Sequence, residues 1–309
     1  PRLRRIRKPA QREPLCDGVV VQGGEVVLAQ DARPDRDPVL ILRAAAATAQ
    51  AGLRLAPNTV DRLAEESAPL PVPWPRQARD SLVSLIGAGR WTVGVWEALD
   101  PADLISRLIP GWDVVRSAPQ RNPVHRFTVD RHLVETAVAA SAHTRKVGRP
   151  DLLLVGALLH DVGKARGGDH TQIGVALMAD LAPMLGFDQS DSETLVALVR
   201  HHLLLPDTAT RKDIDDPAVI SAVAQAVGDR EFLDLLHWLS VSDAMATGPA
   251  AWSPWKRNLM EVLVRRTHAV LAGDQPVIEP QMDDVPEHMW TGTDVAVLCE
   301  PVADTEVVI

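Results

Sequence analysis

Leu152-Leu153-Leu154-Val155-Gly156-Ala157-Leu158-Leu159-His160-Asp161-Val162-Gly163-Lys164 sets eight apolar or small residues directly before a His-Asp pair, with a Val, a Gly and a Lys behind it. A helix apolar on every side sits inside a core rather than on a surface. An imidazole and a carboxylate at the end of such a helix are costly unless something pairs with them. A divalent metal suits both ligand types. Adjacent helical residues point about 100° apart, so His160 and Asp161 can both reach ions lying beside one helix end. A carboxylate has two oxygens and can bridge two ions, which would make Asp161 the hinge of a dinuclear centre.

The surroundings of this stretch are helical. From Val129 onward the pattern predicts helices over 129–147, 151–163, 170–186, 190–204, 217–228, 230–247 and 255–272, with Asp151, Asp191 and Asp216-Pro217 suited to first turns. Ahead of that block, 39–50, 59–66 (with Asn58 as N-cap), 78–89 and 92–99 have helical spacing. Pro101 opens another short helix, and Trp112 to Pro123 reads as irregular. Val19-Val20-Val21 and Val26-Val27-Leu28 flank Gln22-Gly23-Gly24 as a β-hairpin. The expectation is an all-α fold, a helical bundle preceded by a smaller helical connector with a short β-hairpin. Residues 1–17 read as a basic linker, 18–122 as the connector, 123–273 as the bundle and 274–309 as a tail. The tail turns to Pro, Asp and Glu and keeps one strand-like run, Asp294-Val295-Ala296-Val297-Leu298.

Ten histidines are present, and eight of them fall between residues 125 and 237. One His on an apolar helix is ordinarily a hydrogen-bonded core residue. Several, gathered with acids in one helical block, point to a metal site. The candidate ligands in chain order are His132, His160, Asp161, His170, His202 and Asp243, with His201 open as an alternative to its neighbour. His125 is a candidate for support behind the ligands. His143 lies eleven residues past His132, about 16 Å along a helix, so it cannot share that ion and reads as structural. His237 reads as core, and His268 and His288 as surface. Lys164 follows Asp161 by three residues and His160 by four, on one helical face, where it could hold a bound phosphate or simply complement a helix C-terminus.

Composition narrows the class. The 309 residues are 46% hydrophobic and 24% charged, the profile of a globular protein with ample core. A net charge of −9 argues against a broad basic face for nucleic acid. Cys16 and Cys299 make neither a CxxC pair nor a disulfide framework, which suits a reducing cytoplasm. The longest apolar run is too short to cross a bilayer, and the basic start has no apolar segment after it, so neither membrane insertion nor secretion is expected.

His132, His160-Asp161 and Asp243 together resemble the H…HD…D signature of the HD-domain superfamily of metal-dependent phosphohydrolases, and His170 and His202 resemble the added ligands of its dinuclear members. Four stretches narrow the resemblance to the uridylyl-removing region of bacterial PII uridylyltransferase/uridylyl-removing enzymes. They are Val124-His125-Arg126-Phe127-Thr128-Val129-Asp130-Arg131-His132, His160 to Lys164 with Gly167-Gly168-Asp169-His170, Val199-Arg200-His201-His202-Leu203-Leu204, and Ser242-Asp243-Ala244. The similarity spans roughly residues 15–272. It implies an HD helical bundle and two divalent ions (Mn, Fe, Zn or Mg). His132, His160 and Asp243 would lie on one ion and His170 and His202 on the other, with Asp161 bridging as a catalytic residue and Lys164 on a phosphoryl oxygen. The implied substrate is a nucleotidyl group on a tyrosine of the PII nitrogen-signalling protein, released as UMP or AMP. The chain contains no Tyr, so the scissile bond would sit on another protein.

Two departures from that family stand out. No G-S…D-x-D pattern of a nucleotidyltransferase occurs, and of the glutamine-sensing ACT domains only the fragment near 294–298 has a counterpart, the remnant of an entry to one. Transferase activity is therefore not expected, and the resemblance carries no expectation of glutamine control for these residues. The rival readings are an HD phosphohydrolase acting on free nucleotides and an inactive metal-binding regulatory module.

Overall fold

In a computed structural model, residues 12–120 and 124–273 are described. His288, Cys299 and the strand-like run at 294–298 lie outside them. Strands β1 (Arg12–Cys16), β2 (Val19–Gln22) and β3 (Glu25–Leu28) form an antiparallel meander, and the short β4 (Arg54–Leu55) adds in parallel to β3. Gly23 and Gly24, at φ of 64° and 87°, make the two-residue turn between β2 and β3, since only glycine takes that backbone without strain. β1 falls in the stretch expected to be a basic linker, but it is an edge strand whose exposed Arg12, Glu13 and Pro14 give no alternating apolar pattern, and its register shifts between Pro14 and Cys16.

The connector continues through α1 (Leu40–Gln50), α2 (Pro57–Glu66), α3 (Arg76–Ile86), α4 (Trp91–Leu99) and two short turns of helix, α5 (Leu104–Leu108) and α6 (Trp112–Val115). α1 buries nearly its whole circumference and packs on α3 and α4. α2 starts one residue before the expected cap, because Pro57 takes the first helical position and leaves Ala56, not Asn58, at the N-cap. Pro101 opens only a 3-10 turn, Asp100–Ala102. The stretch after Trp112 holds a helical turn because the Trp112 indole is fully buried edge-on against Trp96, ring centroids 5.1 Å apart. Gly94 lies exposed in α4 with open space where a Cβ would stand. Gly94→Ala is therefore expected to raise stability by about 0.5–1 kcal/mol, seen as a higher urea midpoint at unchanged slope.

The bundle comprises α7 (Val129–Ser141), α8 (Pro150–Leu159), α9 (His170–Met184), α10 (Gln189–His201), α11 (Leu204–Arg211), α12 (Pro217–Val227), α13 (Arg230–Thr247) and α14 (Pro254–Leu271). The fold is helical with one small sheet, as its patterning predicts. α8 is central, packed against α7, α10 and α13, and every residue from Leu152 to Leu159 is buried. Gly156 lets α10 come close, since a Cβ there would lie 2.9 Å from Leu198 Cδ1. At the start of α8, Arg149 Nη2 donates to both Asp151 (2.8 Å) and Asp191 (2.7 Å), which fixes α8 against the first turn of α10.

Three boundaries differ from expectation. α7 stops at Ser141 and a 3-10 turn follows at Thr144–Lys146. α8 ends at Leu159, with His160 at the C-cap. The single helix expected over 190–204 breaks at His202, and a separate α11 follows. The connector and bundle share one continuous core through contacts of α3 with α7 and α8 and of α4 with α7. Among the described residues no helix is long and apolar enough to cross a membrane.

Candidate metal centre

The end of α8 and four other helices, α7, α9, α10 and α13, build the site. As α8 terminates, the His160 ring turns back so that Nδ1 lies 2.9 Å from the Ala157 carbonyl oxygen, one of the orphan acceptors of the last turn. The same device recurs at the end of α10, where His202 Nδ1 lies 2.6 Å from the Val199 carbonyl oxygen. A ring whose Nδ1–H donates to a carbonyl presents an unprotonated Nε2 on its other side, the form a metal takes. His132 projects from α7 and Asp243 from α13. His170 opens α9 because Asp169 caps that helix, its Oδ1 accepting from the backbone N–H of Thr171 (2.8 Å) and Gln172 (3.3 Å).

Five imidazoles stand in a row, each edge-on to the next, in the order His125, His132, His160, His202, His170, with centroids 5.5 to 5.6 Å apart. Asp161 faces the row. Its Oδ2 is 3.4 Å from His160 Nε2 and 3.9 Å from His132 Nε2. Its Oδ1 is 3.5 Å from His202 Nε2 and 3.6 Å from His170 Nε2. Asp243 Oδ1 closes the first group, 3.0 Å from His132 Nε2 and 3.6 Å from His160 Nε2. The ligand atoms thus fall into two sets, His132–His160–Asp243 and Asp161–His170–His202, each with all atoms within 4.8 Å of one another.

His132, His160 and His202 Nε2 and Asp161 Oδ1 are buried, and among the described residues none has a hydrogen-bond partner. Such atoms, divided between the two ligand sets, are unsatisfied unless cations lie among them. The electrostatics agree. Burial pushes the His160 pKa down, but the Asp161 charge and contacts with Asp161 and Asp243 override it and raise the value to about 10. Burial likewise opposes the charge on Asp161, yet His160, Lys164 and His202 hold its carboxyl well below the usual range. Asp243 is lowered in the same way by His132 and His160, against its burial. In the ion-free protein these carboxylates draw a proton onto His160, and a metal would take that proton's place. The donor set of nitrogen and oxygen, with no thiolate, fits a first-row divalent ion.

Lys164 sits at the lip. Its Nζ is 2.6 Å from Asp161 Oδ2 and donates to Gln120 Oε1 at 2.9 Å, so it is held between the centre and the connector rather than extended into solvent. Beyond it the backbone turns left-handed at Ala165 (φ 64°), Gly167 and Gly168, and Arg166 Nη2 donates to the Gly111 carbonyl oxygen at 2.7 Å. Pro119, Gln120, His125, Val129, Lys164 and Gly168 line the cleft of about 570 Å³ that opens here.

His201 points away from this centre, against Phe232. His143 stacks on Trp238 at 4.4 Å, and burial lowers the pKa of His237 to about 4, as suits core imidazoles. His268, expected at the surface, is half-buried there, its Nε2 2.9 Å from Oδ1 of the partly exposed Asp234. Two residues escaped the sequence reading. Gln120 carries no spacing signal, being a lone amide in an irregular stretch. Gly163 stood in the opening motif, but its need to be Gly depends on α9 crossing over it, a long-range fact.

Residues 129–246 belong to the HD domain family. The six candidate ligand residues, His132 to Asp243, all lie within that match. Over most of its length the chain is similar to the bifunctional uridylyltransferase/uridylyl-removing enzyme of Streptomyces coelicolor, 58% identical across 90% of this chain and 34% of that protein. The enzyme of the same name from Mycobacterium tuberculosis is 50% identical across 89% of this chain and 34% of its own length. That of Corynebacterium glutamicum is 34% identical across 87% and 39%. The chain spans roughly a third of the length of these relatives.

Proposed function

We propose that this chain hydrolyses the phosphodiester joining a nucleotidyl group, UMP or AMP, to a tyrosine of a PII signalling protein. The observation that carries the reading is Asp161, whose two oxygens each face a separate ligand set beside a cleft bearing Lys164. His132, His160 and Asp243 would hold one divalent ion, His170 and His202 a second, and Asp161 would reach both. Of Mn, Fe, Zn and Mg, the first three suit this imidazole-rich set best. Bound there, the ions supply Lewis acidity and a water acidified toward neutral pH.

The chain's own residues do the rest. The Nδ1 contacts of His160 and His202 with helix-end carbonyls fix ring tautomer and direction before any ligand arrives. Lys164 brings a positive charge to the cleft wall, where it would neutralise a non-bridging phosphoryl oxygen as charge develops. The left-handed turn at 165–168 keeps side chains clear of the entrance, leaving room for a tyrosyl group held on another protein. Hydrolysis breaks the bond from phosphorus to the tyrosine oxygen, and water supplies the oxygen retained on the nucleotide. A phenolate leaves readily, so the site needs no strong general acid. The similarity to uridylyl-removing enzymes supports the substrate class, and the lack of Tyr among these 309 residues agrees with a scissile bond on another protein.

The test is metal analysis of the purified chain coupled to mass spectrometry of nucleotidylated PII before and after incubation, with free nucleotides assayed in parallel. Loss of 306 or 329 mass units per modified subunit, about the mass of a uridylyl or adenylyl group, is the expected signal. Turnover of free nucleotides with none of modified PII would refute the substrate assignment. His160→Ala should lower the rate about 100-fold and reduce the bound metal, because one ion loses an anchored ligand while the other set stays complete.

A further inference from the structure

Resting on the role just given to Lys164, we infer that Gln120 is the positioning residue that keeps that lysine available to the phosphoryl group. Lys164 Nζ has two partners of opposite kind. Asp161 Oδ2, at 2.6 Å, is a carboxylate that the metal reading commits to ions. Gln120 Oε1, at 2.9 Å, is a neutral acceptor from the far wall of the cleft, supplied by the connector 44 residues earlier. Once cations share the Asp161 charge, the pull of that carboxylate on the ammonium weakens and repulsion from the ions replaces it. Gln120 is then what retains the lysine at the lip.

The chemistry of the amide matters. An ammonium only donates, so it selects the amide oxygen and fixes which way the Gln120 side chain points. Among the described residues Gln120 Nε2 has no acceptor of its own, so the orientation is set by the lysine. A neutral acceptor holds the lysine without cancelling its charge. A carboxylate in the same place would hold it more tightly but spend that charge on itself. The preference for an amide over an acid at position 120 is what a phosphate-facing lysine requires and a purely structural tether does not.

Isothermal titration of the metal-loaded chain with inorganic phosphate reads this directly, with Lys164→Met as benchmark. Gln120→Glu should weaken phosphate binding about 10-fold or more, close to the benchmark, while metal content and thermal midpoint stay at wild-type values. Gln120→Met, which removes the tether without adding charge, should fall between wild type and Gln120→Glu. Wild-type phosphate affinity in Gln120→Glu, with Lys164→Met impaired, overturns the inference alone. Unimpaired binding in Lys164→Met overturns the role given to Lys164 in the preceding section and this inference with it. Neither result depends on which protein carries the tyrosyl substrate.

Discussion

Asp161→Asn is expected to cut hydrolysis at least 10³-fold and to strip the centre of most of its metal. Among the described residues the side chain is the one carboxylate that faces both ligand sets, through Oδ2 to His160 and His132 and through Oδ1 to His202 and His170. Asn keeps the shape and removes the charge. What remains at position 161 is a buried neutral amide beside an ammonium, which holds a dication far less well than a carboxylate does and leaves Asp243 as the one acid in the two ligand sets. A loss of about 10³-fold corresponds to about 4 kcal/mol of transition-state stabilisation, the scale on which an ion-supporting carboxylate acts. The same substitution removes the countercharge of Lys164, 2.6 Å away. That lysine is part-exposed and can turn to water, so the fold survives and circular dichroism should be unchanged. The measurement is metal content by mass spectrometry beside single-turnover rates. A variant that keeps two ions per chain and turns over at the wild-type rate would remove Asp161 from the chemistry.

How far this site was legible follows from which residues act through local pattern and which through crossing. His160 and Asp161 were visible because an apolar run ending in two polar groups is anomalous within a dozen residues. His132 and Asp243 required only that ligand types gather in one block of helices. The choice between His201 and His202 was open, because adjacent helical residues differ by 100° and nothing local says which side is inward. The structure turns His202 to Asp161 and His201 to Phe232. Gln120 was invisible for the opposite reason: its partner is 44 residues away across the join of connector and bundle. The missed elements behave alike. β1 is a strand by pairing, not by composition. α11 separates from α10 because the chain turns at the ligand His202, a break that helical periodicity runs through. Local physics wrote the candidate ligands into the sequence, and packing between distant elements wrote the residues that hold them in place.

Gly163→Ala is the second large expected effect, and it tests that packing. Gly163 lies in the turn between the end of α8 and Lys164, where the first residues of α9 cross over it. A Cβ built there would stand 2.1 Å from the His170 carbonyl oxygen, 2.5 Å from Gly174 N and 2.9 Å from Gly174 Cα. All three are backbone atoms, so no side chain can rotate away to make room. Gly174 is held from behind, since a Cβ on it would already lie 3.0 Å from Val199 Cγ1 on α10. One methyl group must therefore push α9 off α8 or distort the turn that presents Asp161 and Lys164. Overpacking of this kind costs about 3 kcal/mol or more where the neighbours are backbone. For a chain of 309 residues that lowers the thermal midpoint by about 5 °C. The displacement begins at His170, so the Asp161–His170–His202 set should lose its ion first while His132, His160 and Asp243 keep theirs. Metal stoichiometry against temperature, compared with Gly94→Ala, separates the two consequences. The exposed α4 glycine gains stability from the same chemical change, and Gly163 should lose both stability and one ion. A Gly163→Ala protein that melts with wild type and binds two ions would mean that α9 does not press on this turn in solution.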